Sequence, residues 1–390
     1  MLKALEGSQA IAQTVALCRP DVVSAYPITP QTHIVENIAK LIADGRVNCE
    51  YVSVESEFSA ASVVLGAAAA GARAYTASAS QGILLMSEVL YNIAGMRIPM
   101  VLTCANRAVS APLSIWNDQQ DSMAVRDAGW IQFYCADNQE AIDTTIQAFR
   151  IAQECELPVM VCMDGFTLTH TMEALSVPSQ EEVDTFLPPF EFSRRLDPRA
   201  PISMGTLVSP DFFPEARHSH HAALLHATET IITADQDWMK ICGRFYGGLL
   251  GVDGPDDARV GIMVIGSIYG TLLEARNEFP ELPPWSLIRL RVFRPFPIEA
   301  VREVCCGLDD VIVVERALSP GSGGIIGAEV RAALYGLEHA PRVHNVAVGL
   351  GGRDVSMQIL PRLFELFEAP EPVQFKVFDL EIDRLEPEDQ

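Results

Sequence analysis

From residue 20 to 165, short apolar or β-branched runs alternate with stretches of helical period. That is the pattern of a doubly wound parallel sheet whose strands are joined by crossover helices. The runs predict strands at 22–26, 50–55, 73–79, 99–104, 130–135 and 157–163. Between them, Ile34, Ile38, Leu41 and Ile42 make one helical stripe, and Ala141, Ile142, Ile146 and Phe149 make another. Gly45 reads as the stop of the first helix and Asn138 as the start of the second. Residues 176–214 break the alternation with proline and charge (VPSQEEV, LPPF, LDPRAP, SPDFFPE), which predicts an irregular arm lying over a neighbouring surface. Residues 215–250 read as a helix and connector. A second αβ unit runs from about 259, with strands VGIMVIG, SLIRLRVF and DVIVVE, a glycine-rich turn, a helix over 325–336 and a strand HNVAVGL.

Composition narrows the functional classes. A chain of 390 residues that is 49% hydrophobic can bury more than one core. Its net charge of −23 is spread along the chain, so phosphate backbones and anionic lipid surfaces would repel it. Neither nucleic acid nor membrane is an expected partner. No apolar run reaches the roughly 20 residues of a spanning helix, and MLKALEGSQ lacks the blocks of an export signal, so a cytoplasmic location is expected. Nine cysteines occur and none forms CxxC. Iron-sulfur clusters and structural zinc need several thiolates at short fixed spacing, so any redox centre is expected on another chain.

Ligands of open parallel sheets collect beyond the carboxyl ends of the strands, and the unusual polar residues of the first unit fall there. After the strand at 22–26 comes Tyr26-Pro27-Ile28-Thr29-Pro30, where Thr29 can cap the next helix with Pro30 in its first position. The same residues can form a small anion site, from exposed N–H groups and the Thr29 hydroxyl, suited to a carboxylate. After the strand at 50–55, Glu55 and Glu57 flank a turn into the small-residue helix AASVVLGAAAAGA. Glu57 there is either a solvated first-turn glutamate or a carboxylate kept ionised by the helix dipole for use at a tight core or subunit seam. After the strand at 99–104, Arg107 can present its planar fork to a carboxylate, or pair with Asp118 or Asp121. Asp164, in MDGF, reads as a turn residue.

Two features mislead. PGSGGIIGAEV resembles a dinucleotide loop, but Ile326 takes the place of the last glycine of GxGxxG. His218, His220 and His221 have a helical spacing that could hold a metal, yet no cysteine or paired carboxylate lies near them, and they read as a solvated face.

In order, YPITPQT, VESEFSA, TASASQGILLM, ANRAVSAPLSIWNDQQD, RDAGWIQ, MDGF, RLRVFRPFP, VVERA and GLGGRDV resemble the alpha subunit of multi-subunit pyruvate:ferredoxin oxidoreductases, over nearly the whole chain. The resemblance implies a thiamine-diphosphate-binding fold: a pyrimidine-binding domain over 1–250, including the arm and connector 176–250, then a transketolase C-terminal-like α/β domain over 259–385. It implies that Glu57 hydrogen-bonds the far ring nitrogen of the cofactor's aminopyrimidine, favouring the imino tautomer that deprotonates the thiazolium carbon. It also implies that Pro27 and Ile28 line the cofactor and that Thr29 and Arg107 hold the carboxylate and keto oxygen of pyruvate. A related oxalate-using family has arginine in place of the threonine, so Thr29 favours a substrate with one carboxylate. Gln119 departs from relatives that often carry histidine there, which bears on substrate preference or a polar contact at the site.

The diphosphate, its Mg2+ ion and the iron-sulfur clusters are expected on partner subunits (a diphosphate-binding beta, a gamma and a ferredoxin-like delta), with coenzyme A as co-substrate and ferredoxin docking on a partner. The residues agree, because neither MDG nor VDG supplies the GDG and distant asparagine of a diphosphate site. Three other readings stay open: the same machinery acting on another 2-oxo acid, a scaffold subunit buttressing a site on a partner chain, and a nicotinamide dehydrogenase, weakened by the broken fingerprint.

Overall fold

The computed structural model describes residues 2–389 and contains fifteen strands. They are β1 (Leu2–Glu6), β2 (Val22–Ala25), β3 (Glu50–Ser53), β4 (Ala74–Ser78), β5 (Val101–Asn106), β6 (Ile131–Tyr134), β7 (Val159–Asp164), β8 (Met172–Ser176), β9 (Leu250–Asp253), β10 (Val260–Val264), β11 (Ser286–Leu290), β12 (Val292–Arg294), β13 (Asp310–Glu315), β14 (Arg342–Ala347) and β15 (Lys376–Val377). The six strands expected in the first unit are all present and form a parallel sheet in the order β6-β7-β5-β4-β2-β3, with β12 added antiparallel to β6. A second sheet has the order β15-β14-β13-β10-β11-β9, and β1 pairs with β8 as a separate antiparallel ribbon.

The central strands β4, β5 and β7 are buried along their whole length, as strands covered on both faces must be. Their side chains alternate between two cores. Val159, Val161 and Met163 of β7 face the helices 7–17, 32–43 and 138–155, while Met160 and Cys162 face the core that continues into Met263, Ile288 and Val313 of the second sheet. One hydrophobic core therefore lies between the two sheets, and Ile262, Val264, Leu287 and Ile312 face a third on the far side.

The segment SLIRLRVF, read from sequence as one strand, is two. Ser286–Leu290 pairs with β10 and β9 in the second sheet, and after Arg291 the chain enters the first sheet as Val292–Arg294. Apolar content cannot reveal that split, because both halves are buried. The arm is irregular over 188–212 apart from isolated bends and turns, but begins with a helix at Gln180–Phe186, closed by a Ser179–Glu182 capping box. The following helix runs 30 residues, Phe213–Cys242, and ends at Gly243 in the left-handed conformation (φ 76°). One helix start is shifted by a residue from expectation. Asp137, whose carboxylate accepts from Glu140 N–H, caps the helix 138–155, and Asn138 is its first residue. Among the described residues no helix is long and apolar enough to cross a membrane.

Candidate functional site

Because β2 to β7 run parallel, the loops after them converge on one edge of the first sheet. The chain after β2 leads to β3 on one side, and the chain after β3 crosses back to β4 on the other. That reversal opens the crevice in which ligands of such sheets bind.

Thr29 does not cap a helix. Ile28 O accepts from Gln31 N–H (2.8 Å) and Thr32 N–H (3.1 Å), so the chain turns over a cis Thr29–Pro30 peptide and the helix starts at Thr32. Those two N–H groups are spent within the turn and are not open to an anion. Gln31 is buried and anchors the turn to the sheet through Nε2–H to Ala77 O, 2.7 Å. Pro27 and Thr29 are exposed and Ile28 is half-buried. The Thr29 hydroxyl is bonded to no described residue.

Arg107 reaches the same turn from the end of β5. Its guanidinium donates through Nη1 to Thr29 O (3.0 Å) and through Nε to Ser114 O (3.1 Å), while Nη2 donates to no described residue. The expected ion pair with Asp118 or Asp121 does not form. Asp121 instead accepts from the Arg107 backbone N–H (2.9 Å), Ser80 N–H (2.8 Å), Asn106 Nδ2–H (2.8 Å) and Ser122 N–H (2.7 Å). Burial pushes the Asp121 carboxyl up, and these donors pull it back. Asp121 thereby ties the loop after β4 to the loop after β5. Ser80, at the first of these, sits in the left-handed region (φ 50°), a backbone choice sequence did not disclose.

Glu57 opens the helix Glu57–Ala69, whose Ser56 cap accepts from Ser59 N–H. It is not a solvated glutamate, being only 7% exposed. The buried carboxylates Asp118, Asp121, Glu140, Asp143, Asp164, Asp235, Asp310 and Glu315 all accept bonds from within the chain. No described residue donates to Glu57. With no donor from within the chain, its acceptor positions are left for a donor from outside it. Gly82 makes the room: a Cβ there would lie 2.8 Å from Glu57 Oε1 and 2.3 Å from Ser78 Oγ, itself buried and unbonded. Glu55, by contrast, is exposed and bonded by Ser59 Oγ.

Asp164 is more than a turn residue. Its carboxylate accepts from Ser267 N–H (2.9 Å), Arg316 Nη1–H (3.1 Å) and Gln119 Nε2–H (3.1 Å), clasping the second sheet to the first. Gln119 is fully buried within that clasp and bonds Arg316 O through its own N–H. It acts on the junction between the sheets. The glycine-rich turn at 320–324 offers no phosphate cradle, because Glu315 accepts the N–H groups of Ile325, Ile326 and Gly327. Of the three histidines, His218 and His221 are exposed, but His220 is buried and its Nε2 lies 3.0 Å from Gly129 O.

Gln31, Ser80, Gly82 and Asp121 are the site residues that sequence reasoning missed. The run of small polar residues directly after β4, Ser78-Ala79-Ser80-Gln81-Gly82, was the signal available for two of them.

Residues 13–236 match the family described as pyruvate flavodoxin/ferredoxin oxidoreductase, thiamine diP-bdg, and residues 258–360 match pyruvate:ferredoxin oxidoreductase core domain II. The chain is 43% identical to pyruvate synthase subunit PorA of Methanosarcina barkeri, covering 93% of this chain and 91% of that one. It is 39% identical to ketoisovalerate oxidoreductase subunit VorA of Pyrococcus abyssi, covering 93% and 92%. Among solved structures, the 2-oxoglutarate:ferredoxin oxidoreductase from Magnetococcus marinus superposes with a TM-score of 0.72 at 20% identity, over 93% of this chain and 65% of that one. A split-gene transketolase gives 0.53 at 14% identity, over 92% and 93%.

Proposed function

Because the chain belongs to the pyruvate:ferredoxin oxidoreductase family, we propose that it lends Glu57 to thiamine diphosphate held by a partner subunit and binds the 2-oxo acid with Thr29 and Arg107. It is the alpha subunit of such an oxidoreductase, carrying the family's thiamine-diphosphate-binding domain. The reaction is the reversible oxidative decarboxylation of pyruvate to acetyl-CoA, with electrons passing to ferredoxin. We take residues 1–250 as the pyrimidine-binding unit and 259–385 as the transketolase C-terminal-like unit. The beta, gamma and delta partners would supply Mg2+, the iron-sulfur clusters and the coenzyme A and ferredoxin contacts.

The observation that carries this reading is a buried carboxylate with no donor of its own, at the carboxyl edge of the sheet beside Gly82. The residues fit an aminopyrimidine: Glu57 offers an acceptor to a ring N–H, and the missing side chain at Gly82 leaves room for that carboxylate. When bound, the cofactor supplies the carbanion that attacks the keto carbon and the electron sink for loss of CO2. Glu57 holds a proton on the ring nitrogen facing it, through a charge-assisted hydrogen bond of about 1.5–3 kcal/mol in ordinary settings. In a dry subunit seam the same bond counts for more. Arg107 keeps Nη2 for the substrate carboxylate while Nη1 holds the Thr29 turn and Nε holds Ser114 O, and Thr29 is exposed beside it.

The test is Glu57→Gln in the assembled complex. Pyruvate-dependent viologen reduction should fall about a hundredfold or more while the subunits stay together, and near-normal turnover would refute the role. A second reading, a branched 2-oxo acid as substrate, is favoured by the 38–39% identity to ketoisovalerate oxidoreductase subunits. A substrate panel on the purified complex separates the two.

A further inference from the structure

Away from the thiamine crevice, three segments distant in sequence meet at one point. Pairing of β1 with β8 sets Glu6 opposite Met172, two residues from His170, and His33 arrives from the first turn of the helix 32–43. One potential ligand atom of each of Glu6, His33 and His170 lies within 4.8 Å of the other two. His33 Nδ1 is 2.7 Å from Glu6 Oε1, and the two imidazole rings lie 4.8 Å apart, tilted by 33°. His170 is oriented from behind: its Nδ1 is 2.7 Å from Thr169 Oγ1, which accepts the Phe166 N–H at 2.8 Å, and the Phe166 ring stacks 4.7 Å from it. Nε2 of His170 is left uncommitted.

We propose that Glu6, His33 and His170 form a binding site for a divalent transition-metal ion of the zinc class, with a fourth position open to water. Two imidazoles and one carboxylate are the donor set that suits zinc and its neighbours, whereas Ca2+ and Mg2+ take oxygen ligands. The orienting hydroxyl of Thr169 fixes the ring and leaves the opposite nitrogen to the metal, as outer partners of metal-bound histidines do. A surface ion pair between His33 and Glu6 accounts for two of the three residues but not for the convergence of His170. Zinc bonds of about 2.0–2.2 Å require the three groups to draw together. Glu6 and His33 can do so, since their side chains keep 16% and 46% of their exposure.

The bound ion would staple the β1–β8 ribbon to the start of the helix 32–43 and to the turn after β7. That turn packs on the substrate side: a Cβ at Gly165 would lie 2.6 Å from Pro30 Cγ. The site is thus a brace for the Thr29 turn, not part of the chemistry.

The experiment takes the full-length chain, freed of metal with a chelator, and titrates it with Zn2+ by calorimetry and with Co2+ by visible absorption. One equivalent should bind, with the Co2+ spectrum of a low-coordinate nitrogen and oxygen site and no thiolate charge-transfer band. His33→Ala and His170→Ala should each weaken that equivalent at least tenfold, on the order expected for loss of a ligand. His33 is exposed, so His33→Ala should fold as the parent does, and far-ultraviolet circular dichroism checks it. Binding weaker than about 1 mM, or one equivalent retained unchanged in both variants, would overturn the proposal, the second outcome by placing the metal on thiols elsewhere.

Discussion

Arg107 commits two of its three guanidinium nitrogens to structure. Nε and Nη1 hold Ser114 O and Thr29 O, and Nη2 remains. Replacing it with alanine removes a charge-assisted fork, so KM for pyruvate should rise about tenfold or more with kcat changed less. An unchanged KM in steady-state assays would remove Arg107 from the substrate site. Gly82→Ala tests the cradle around Glu57. The added Cβ would sit 2.8 Å from the carboxylate oxygen and must displace it. Displacements of this kind cost up to about a hundredfold in rate. Turnover should therefore fall, and the thermal midpoint should fall with it, because the buried Ser78 Oγ, 2.3 Å from the added Cβ, must also give way. At this scale sequence was informative about identity and silent about environment. Glu57 and Arg107 stood out by position after a strand, yet only burial distinguished Glu57 from a solvated glutamate, and only the fold showed Arg107 avoiding both aspartates.

Among the elements, strands buried on both faces were legible because nothing polar interrupts them, and helices were legible by their stripes. The ribbon β1–β8 was not, since its strands carry no clean alternation and the pairing joins residues about 170 apart. The Gly349–Gly352 turn is another case. It is held to the first sheet by Asp118, whose Oδ2 accepts from Gly351 N–H at 3.2 Å. Burial raises the Asp118 carboxyl to about 6. An acid raised on folding costs nothing below its unfolded pKa, near 4, and destabilises increasingly until pH passes the folded value. The unfolding free energy of the parent relative to Asp118→Asn should therefore fall as pH goes from 4 to 7. A difference independent of pH in denaturant titrations would mean that the carboxyl does not titrate in that window.

The molecule as a whole is joined by buried charge. Glu140 on the helix 138–155 accepts from Arg289 (2.9 Å) of β11 and from Arg291 (3.1 Å), the residue between the two sheets. Arg291 also donates to Gln147 Oε1 at 2.6 Å, and Asp235 lies 4.0 Å away. Glu140→Ala would strand two buried guanidinium groups and should cost about 3–5 kcal/mol. With a shared core and this network between the sheets, calorimetry of the parent should show one cooperative transition, and the variant a lower midpoint or two transitions. Two resolved transitions in the parent would show that the network does not couple the sheets.

Periodicity and motif order alone determined the class of fold, the six strands of the first sheet and the edge at which the candidate site residues gather, because side-chain alternation and strand-end loops are local properties. Tertiary structure decided which carboxylate lacks a donor, that SLIRLRVF serves two sheets, and that Gln119 and Asp164 clasp the junction. These depend on which distant segments pack together, and burial of a charge is set by everything around it.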